Sequence, residues 1–164
     1  MIHRRELIQI AAASALPAAP RHFGEGPLKF FTPAEDAVLD RLADIILPTD
    51  EQSPGAHEAK VSRYIDLVAA YSTAALQQRW REGIKDVEAA ARSRFGAAYS
   101  TLTRQQQEEL MGVMAAHEGK PENALERFFE MLKPAVVDGY RFSEIGTRQY
   151  MRWKGNGGAL SYRI

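Results

Sequence analysis

No cysteine occurs among the 164 residues of this chain. Without a thiol, the chain cannot form a disulfide or an iron–sulfur cluster, attach haem covalently, or use a cysteine nucleophile. The chain also has no surplus of either charge, because 21 basic residues balance 21 acidic ones. General binding to nucleic acid or to an anionic membrane needs an excess of Lys and Arg, so the composition argues against both classes of partner.

The residue spacings of common active sites are missing as well. No Gly-x-Ser-x-Gly elbow marks a serine nucleophile. The run 155–158 is rich in glycine, but no strand pattern precedes it and no helix pattern follows it, so it predicts a turn and not a phosphate-binding loop. No two histidines stand at the spacing of metal ligands. The histidines are His3, His22, His57 and His117.

Two of these histidines need an interpretation of their own. His57 follows Asp50 and Glu51 in the sequence, and the three side chains leave open a weak metal site or a proton-transfer role. A solvated loop histidine is the simpler interpretation of His57. His117 is predicted to lie at a helix end, with its ring bonded to a backbone carbonyl.

Strand-like alternation is absent over any useful length, whereas apolar residues recur at helical spacing. Capping-box patterns at Thr32 and Thr103 mark two helix starts, and Pro48 marks a stop. The sequence therefore predicts an all-α fold, a single-domain bundle of about five helices with an irregular C-terminal tail. The predicted helices run from Thr32 to Pro48, from about Ala59 to Tyr71, from after Ser72 to Phe95, from Thr103 through Met114 towards His117, and from after Pro121 through Val136 with a kink at Pro134.

Residues 1–20 are typical of a bacterial export signal, with a basic start, an apolar stretch of about ten residues and a small-residue end. The adjacent Arg4 and Arg5 resemble the twin-arginine signal, whose pathway carries folded proteins. The alternative is an amphipathic N-terminal helix of a cytoplasmic protein. We predict a signal segment at 1–20, a linker at 21–31 and one helical domain at 32–164.

Charge is balanced overall but not locally. Residues 33–58 carry seven acids and one base, whereas residues 139–164 carry five bases and one acid. The two segments either meet within the molecule or each face a partner.

Two non-catalytic features suggest a contact surface. The loop at 47–56 places two prolines around an acid pair and ends in a Ser-Pro-Gly-Ala turn. Shaping the backbone is its simpler role, with Asp50 or Ser53 capping the next helix. The tail at 139–164 interleaves aromatic and basic residues, and it either folds back over the core or contacts a partner. The candidate partner-binding residues are Asp50, Ser53, Pro54, Gly55, Tyr140, Tyr150, Arg152, Trp153, Lys154 and Asn156.

Several short motifs carry a likeness to a known family. They are Phe31-Thr32-Pro33 before a helix that ends in Leu47-Pro48, the loop Thr49-Asp50-x-x-Ser53-Pro54-Gly55-Ala56, Asp138-Gly139-Tyr140, and Lys154-Gly155-Asn156. In this combination the chain resembles the family of subunit 3 of gluconate 2-dehydrogenase. The likeness spans residues 30–157, the loop is its most specific part, and the end at 157–164 departs from the pattern.

The resemblance implies a non-catalytic accessory subunit. Members of the family accompany a large FAD-dependent flavoprotein of the glucose–methanol–choline type that oxidises sugars, polyols or aldonates, often together with a multihaem cytochrome c. FAD and haem c are then expected in those partners, and no cofactor or metal in this chain. The small subunit would assist maturation of the flavoprotein and supply the twin-arginine signal through Arg4 and Arg5. It would be periplasmic and associate with the membrane only through its partners.

Two other hypotheses stay open at the level of sequence. One is a free-standing periplasmic helical enzyme or metal-binding protein that uses His57, Asp50 and Glu51. The other is a periplasmic helical binding module unrelated to redox chemistry.

Overall fold

The computed structural model describes residues 26–51 and 53–148. Over these ranges the chain is all-α and contains no strand, as predicted. Its main helices are α1 (Pro33–Ile46), α2 (Val61–Ala70), α3 (Ala74–Phe95), α4 (Arg104–Met114) and α5 (Ala124–Phe142), with a 3-10 turn at Tyr99–Thr101. Residues 144–148 form a further short helical stretch. None of the helices in the described ranges combines the length and apolar character needed to cross a bilayer.

Side-chain caps start four of the five helices. At α1, Thr32 accepts a hydrogen bond from the N–H of Glu35, and the Glu35 carboxylate accepts one from the N–H of Thr32. Thr103 and Gln106 form the same reciprocal pair at α4. Both predicted capping boxes are therefore present, and each satisfies N–H groups that a helix start leaves unpaired. The caps of α3 and α5 are Thr73 and Asn123.

The start of α2 differs from the prediction. Neither Asp50 nor Ser53 caps this helix, because residues 56–60 form an extra turn that separates the loop from it. Lys60 occupies the N-cap position with a positive φ of 56° and no side-chain cap. The N–H of Val61 instead donates to the Ala56 carbonyl at 3.1 Å, so the backbone of the extra turn satisfies the helix start.

Helix α5 is longer than its apolar pattern predicts. It continues through Pro134 to Phe142, so residues 139–142 of the predicted irregular tail are helical. A Cβ on Gly139 would lie 2.8 Å from the Tyr64 ring and 3.0 Å from Val61 Cγ1. A glycine weakens a helix by itself, but here it allows α5 to pack closely on α2, and that packing compensates.

One apolar core joins the five helices, and α5 contacts all four of the others. Each helix contributes buried side chains at helical spacing, as the sequence predicts. Examples, one from each helix, are Leu39, Ile65, Val87, Leu110 and Leu132.

A row of aromatic rings crosses the core. The Trp80 ring lies edge-on to Phe31 at a centroid distance of 6.1 Å and to Phe128 at 5.8 Å. Such edge-to-face contacts add to the area that the rings bury. Gly83, one turn after Trp80, leaves room for the Phe128 ring, which a Cβ at this position would overlap. Trp80 and Phe128 are both buried, at 2% and 3% exposure.

Candidate partner-binding surface

The loop at 47–56 is closed by its own backbone. The N–H of Ala56 donates to the Leu47 carbonyl at 2.8 Å and joins the two ends of the loop. Between them, Asp50 and Ser53 exchange N–H to carbonyl bonds of 3.0 and 3.4 Å. These bonds join the two described parts of the loop, 47–51 and 53–56, which agrees with the structural interpretation of its prolines and glycine.

Gly55 lies where this loop packs most closely on itself. Its N–H donates to Thr49 Oγ1 at 2.9 Å and to Glu58 Oε2 at 3.1 Å, and the Thr49 hydroxyl donates to the same Glu58 oxygen at 2.6 Å. The hydrogen bond from Thr49, followed by those from backbone N–H groups, lowers the pKa of Glu58. A Cβ on Gly55 would lie 2.5 Å from the Thr49 nitrogen and 2.6 Å from the Leu47 carbonyl oxygen, so only glycine fits.

Tyr140 of α5 connects this loop to the bundle. Its hydroxyl donates to the Pro54 carbonyl at 2.7 Å and lies 3.0 Å from Ser53 Oγ. These residues are more than 80 positions apart in the sequence. The fold thus brings together candidate residues from both predicted features, and we call Asp50, Ser53, Pro54 and Tyr140 the loop–α5 surface. Gly55 is buried beneath it, so it shapes the loop and does not itself form surface.

The other candidate residues cannot be placed on this surface. The side chains of Tyr150, Arg152, Trp153, Lys154 and Asn156 lie outside the described residues, as do Arg4 and Arg5 of the predicted signal. The described chain ends at Arg148, eight positions after Tyr140.

A pair of rings that the sequence analysis did not select lies at the end of α5. Phe142 is 51% exposed, and its ring centroid is 6.1 Å from that of Tyr64 on α2. Burial raises the pKa of Tyr64, and the negative charge of Asp138 raises it further. The half-buried Tyr64 ring packs close to Gly139 of α5 and also forms part of the surface beside Phe142.

His57 bonds to α1 and not to its neighbours in the loop. Its Nδ1 lies 2.8 Å from Asp40 Oδ2, and its side chain is 52% exposed. Asp50 and Glu51 were considered as metal ligands together with His57, but they do not form a metal-ligand cluster with it. Within residues 26–51 and 53–148, no three His, Cys, Asp or Glu side chains are grouped so that they could hold a metal ion.

His117 has a different partner from the one predicted. Its Nδ1 lies 2.8 Å from Glu126 Oε1, a carboxylate, instead of a backbone carbonyl. Glu126 is buried, and its other oxygen accepts the N–H of Glu122 at 2.6 Å. The hydrogen bond to Glu126 raises the pKa of His117, while the Glu122 N–H and then His117 lower the pKa of Glu126.

Two acids of the segment at 33–58 form ion pairs with arginines on other helices. Asp44 pairs with Arg104 of α4 at 2.5 Å, and Glu35 lies 3.8 Å from Arg81 of α3. For these two acids, the helical bundle supplies a basic partner. Such exposed pairs contribute little stability each, but they orient the side chains on the surface.

A buried carboxylate on α2 has no signal in the sequence. Asp66 is 3% exposed and accepts three backbone N–H groups from the segment before α1. An aspartate on the polar side of an amphipathic pattern gives no signal for such a contact, since its partners are backbone groups 35 to 37 positions away. Phe30 and Phe31, from the end of the predicted linker, pack against the core through this contact.

The fold and this surface define a class of protein. It is a small all-α bundle in which a loop closed by backbone hydrogen bonds is also bonded to the helix that contacts all the others. The family described as gluconate 2-dehydrogenase subunit 3 matches residues 33–158, which include all five helices and the loop. The chain belongs to this family, and the resemblance seen in the sequence is confirmed. Neither a curated protein nor a solved structure gives a match to the chain.

Proposed function

We propose that this chain is the non-catalytic small subunit of a periplasmic FAD-dependent dehydrogenase complex that oxidises a sugar, polyol or aldonate. It assists maturation of the catalytic flavoprotein and its export by the twin-arginine pathway. The observation that carries the proposal is the family match over residues 33–158, because that family is described as a subunit of gluconate 2-dehydrogenase. FAD belongs to a large glucose–methanol–choline type subunit, and haem c to a multihaem cytochrome c where one is present.

The roles of the bonded carboxylates support an accessory function. Glu58, Asp66 and Glu126 each accept backbone N–H groups of their own chain. A general acid or base must instead reach a substrate proton. These side chains therefore stabilise the fold, and the reaction of the complex is assigned to its flavoprotein.

The loop–α5 surface is the proposed docking site for the flavoprotein. Closure of the loop and its bonds to Tyr140 hold Ser53 and Pro54 in place before binding, so little entropy is lost when a partner covers them. A stable complex buries about 1,600 Å² in total, more than one loop supplies. We assign the remaining contact to the tail residues Tyr150, Arg152, Trp153, Lys154 and Asn156, which follow α5 in the chain.

The export role is tested with paired substitutions in the signal. The chain is co-expressed with a large flavoprotein subunit from the same genome, either unchanged or carrying Arg4→Lys with Arg5→Lys. We expect the double change to leave the flavoprotein in the cytoplasm, because it keeps the charge but removes the arginine pair. Flavoprotein and FAD are measured in separated periplasmic and cytoplasmic fractions. Arg21→Lys, the same substitution outside the pair, is the matched control.

Equal periplasmic flavoprotein with and without the arginine pair would overturn the escort function. The subunit function has a separate readout, which is copurification of the flavoprotein with a tagged form of the chain. Failure to copurify in any fraction, with both proteins folded, would instead support a helical module unrelated to redox chemistry.

A further inference from the structure

The segment at 26–31 connects the predicted export signal to α1, and side chains of two other helices hold it against the bundle. Asp66 of α2 accepts the N–H groups of Lys29, Phe30 and Phe31 at 2.7, 2.9 and 2.8 Å. Three charge-assisted bonds to one carboxylate form a strong and directional contact. They fix the backbone of the segment independently of its side chains.

Two arginines on α2 and α3 also bind the segment at 26–31. Arg81 of α3 donates to the Phe30 carbonyl at 3.1 Å, and its guanidinium lies 4.5 Å from the centre of the Phe30 ring. Arg63 of α2 donates to the Gly26 carbonyl at 3.2 Å. We call Asp66, Arg63 and Arg81 the clasp.

The clasp depends on the folded arrangement of the helices. Asp66 is 35 to 37 positions from the N–H groups that it binds, and Arg81 is 51 positions from Phe30. In an unfolded chain these groups are separated and solvated, so the segment is free. Burying a carboxylate is costly unless hydrogen bonds satisfy it, and here the N–H groups of residues 29–31 supply them.

We propose that the clasp couples the position of the N-terminal signal to the folding of the bundle. When α2 and α3 pack correctly, Asp66 and Arg81 hold residues 26–31, so the chain that follows the signal joins the bundle at one defined point. When the bundle is unfolded, the signal has no defined position relative to it. This inference rests on the proposed export function, and it assigns to Asp66 a role as a positioning residue for a pathway that carries folded proteins.

Hydrogen exchange of the purified full chain tests the clasp directly. In Asp66→Asn, one oxygen that accepts an N–H becomes an amide donor, so at least one of the three bonds is lost. We expect the amides of residues 29–31 to exchange about tenfold faster, with those of α4 and α5 unchanged. Asp86→Asn on α3 makes the same change of charge and is the matched control. Unchanged exchange at 29–31, or equal acceleration throughout the bundle, would overturn the proposal.

A second variant keeps the proposal testable if Asp66→Asn does not fold. Arg81→Gln removes the bond to the Phe30 carbonyl and the contact with its ring, but it leaves Asp66 intact and changes a half-exposed side chain. We expect smaller but local acceleration at the same amides. The absence of any acceleration in a folded Arg81→Gln chain would contradict a role for this arginine in the clasp.

Export in cells separates this inference from the proposed function. At equal amounts of folded chain, Asp66→Asn should lower periplasmic flavoprotein, whereas Asp86→Asn should not. If Asp66→Asn has no effect while loss of Arg4 and Arg5 blocks export, the coupling is wrong and the escort function stands. If loss of the two arginines has no effect either, the escort function fails, and the exchange rates still decide whether Asp66 holds the segment.

Discussion

Glycine 55 shows how one residue determines the shape of a surface. Its N–H binds Thr49 and Glu58, and the backbone of Leu47 and Thr49 occupies the space where a side chain would begin. A neighbouring side chain could rotate away from an added methyl group, but a backbone closed by hydrogen bonds cannot. Gly112 in α4 is the opposite case, since nothing lies within 4 Å of its hypothetical Cβ.

These two glycines predict opposite effects of the same substitution. We expect Gly55→Ala to lower the free energy of unfolding by about 2 kcal/mol, because the loop must open to admit the methyl group. Gly112→Ala should raise it by roughly 0.5 kcal/mol, because alanine is the better helix former. Urea unfolding followed by circular dichroism measures both. Equal midpoints for the two variants would contradict the packing described for Gly55.

The pair of His117 and Glu126 predicts a pH dependence of stability. The bond to Glu126 raises the pKa of His117 above its ordinary 6.5, so the stabilisation is complete below 6.5 and is lost as the pH rises through the raised value. Glu126 has a lowered pKa, so its contribution is complete above 4.5 and is lost as the pH falls through the lowered value. The pair is therefore strongest between these two ordinary values.

Replacement of His117 tests this window. We expect His117→Gln to destabilise the protein at about pH 5.5 and progressively less as the pH rises through the raised pKa of His117, because the histidine then loses its charge in the folded state too. Unfolding free energies of both proteins across this pH range measure the difference. The same substitution in a Glu126→Gln background is the control, and there the pH dependence should disappear. A difference that is constant with pH would show that charge on His117 does not matter.

At the scale of elements, the contact between α5 and the loop is the feature that periodicity cannot reveal. The apolar residues of α5 specify which side packs inward, but Tyr140 acts through its hydroxyl. That hydroxyl is shared between the Pro54 carbonyl and Ser53. The loop is therefore held both by its own backbone and by a helix that begins about seventy residues later in the chain.

Removal of this hydroxyl tests the connection. We expect Tyr140→Phe to lower the free energy of unfolding by about 1 kcal/mol, because the Pro54 carbonyl loses the shorter of the hydrogen bonds that it accepts from Tyr140 and Ser53. Amide exchange at residues 53–55 should accelerate as well. Tyr71→Phe is the matched control, since Tyr71 is 76% exposed. If the two variants behave alike, the bond between α5 and the loop does not contribute to stability.

At the scale of the whole molecule, one core predicts one unfolding transition. All five helices share the buried cluster, and α5 contacts each of the others. Single domains of this size usually unfold without populated intermediates. Trp80 is buried in the core at 2% exposure, so its fluorescence reports on packing and not on helix content alone.

A variant with one tryptophan checks this expectation. The chain contains only Trp80 and Trp153, so Trp153→Phe leaves a single probe in the core. We expect Trp80 fluorescence and circular dichroism to give the same midpoint and slope in urea. Two separated transitions would show that α3 and α5 do not unfold with the rest of the bundle.

Much of the fold could be predicted because its causes are local. The capping boxes at Thr32 and Thr103 each involve residues three positions apart, and the helical spacing of apolar residues predicts which side is buried. The predictions failed where the local structure depends on residues that are distant in the sequence. The extra turn before α2 replaced the expected cap, and Gly139 allowed α5 to continue into the predicted tail.

The candidate surface likewise has features that local sequence predicts and features that depend on distant contacts. Prolines and a glycine in the loop predict a fixed shape, and the structure shows the hydrogen bonds that produce it. The assignment of His117 to a backbone carbonyl was wrong, because Glu126 lies across a connection whose path depends on how α4 and α5 pack. Asp66 was missed for the same reason, since no local pattern predicts that α2 will bind the backbone of residues 29–31.

The sequence by itself determined the helices, their inward sides, the tight loop and the family. These properties depend on residues within a turn or two of one another, or on short motifs. Only the tertiary structure decided that Tyr140 bonds to the loop and that Asp66 and Arg81 hold the segment before α1. The physical reason is that hydrogen bonds to backbone groups carry no sequence signature, so their partners are known only once the helices have packed.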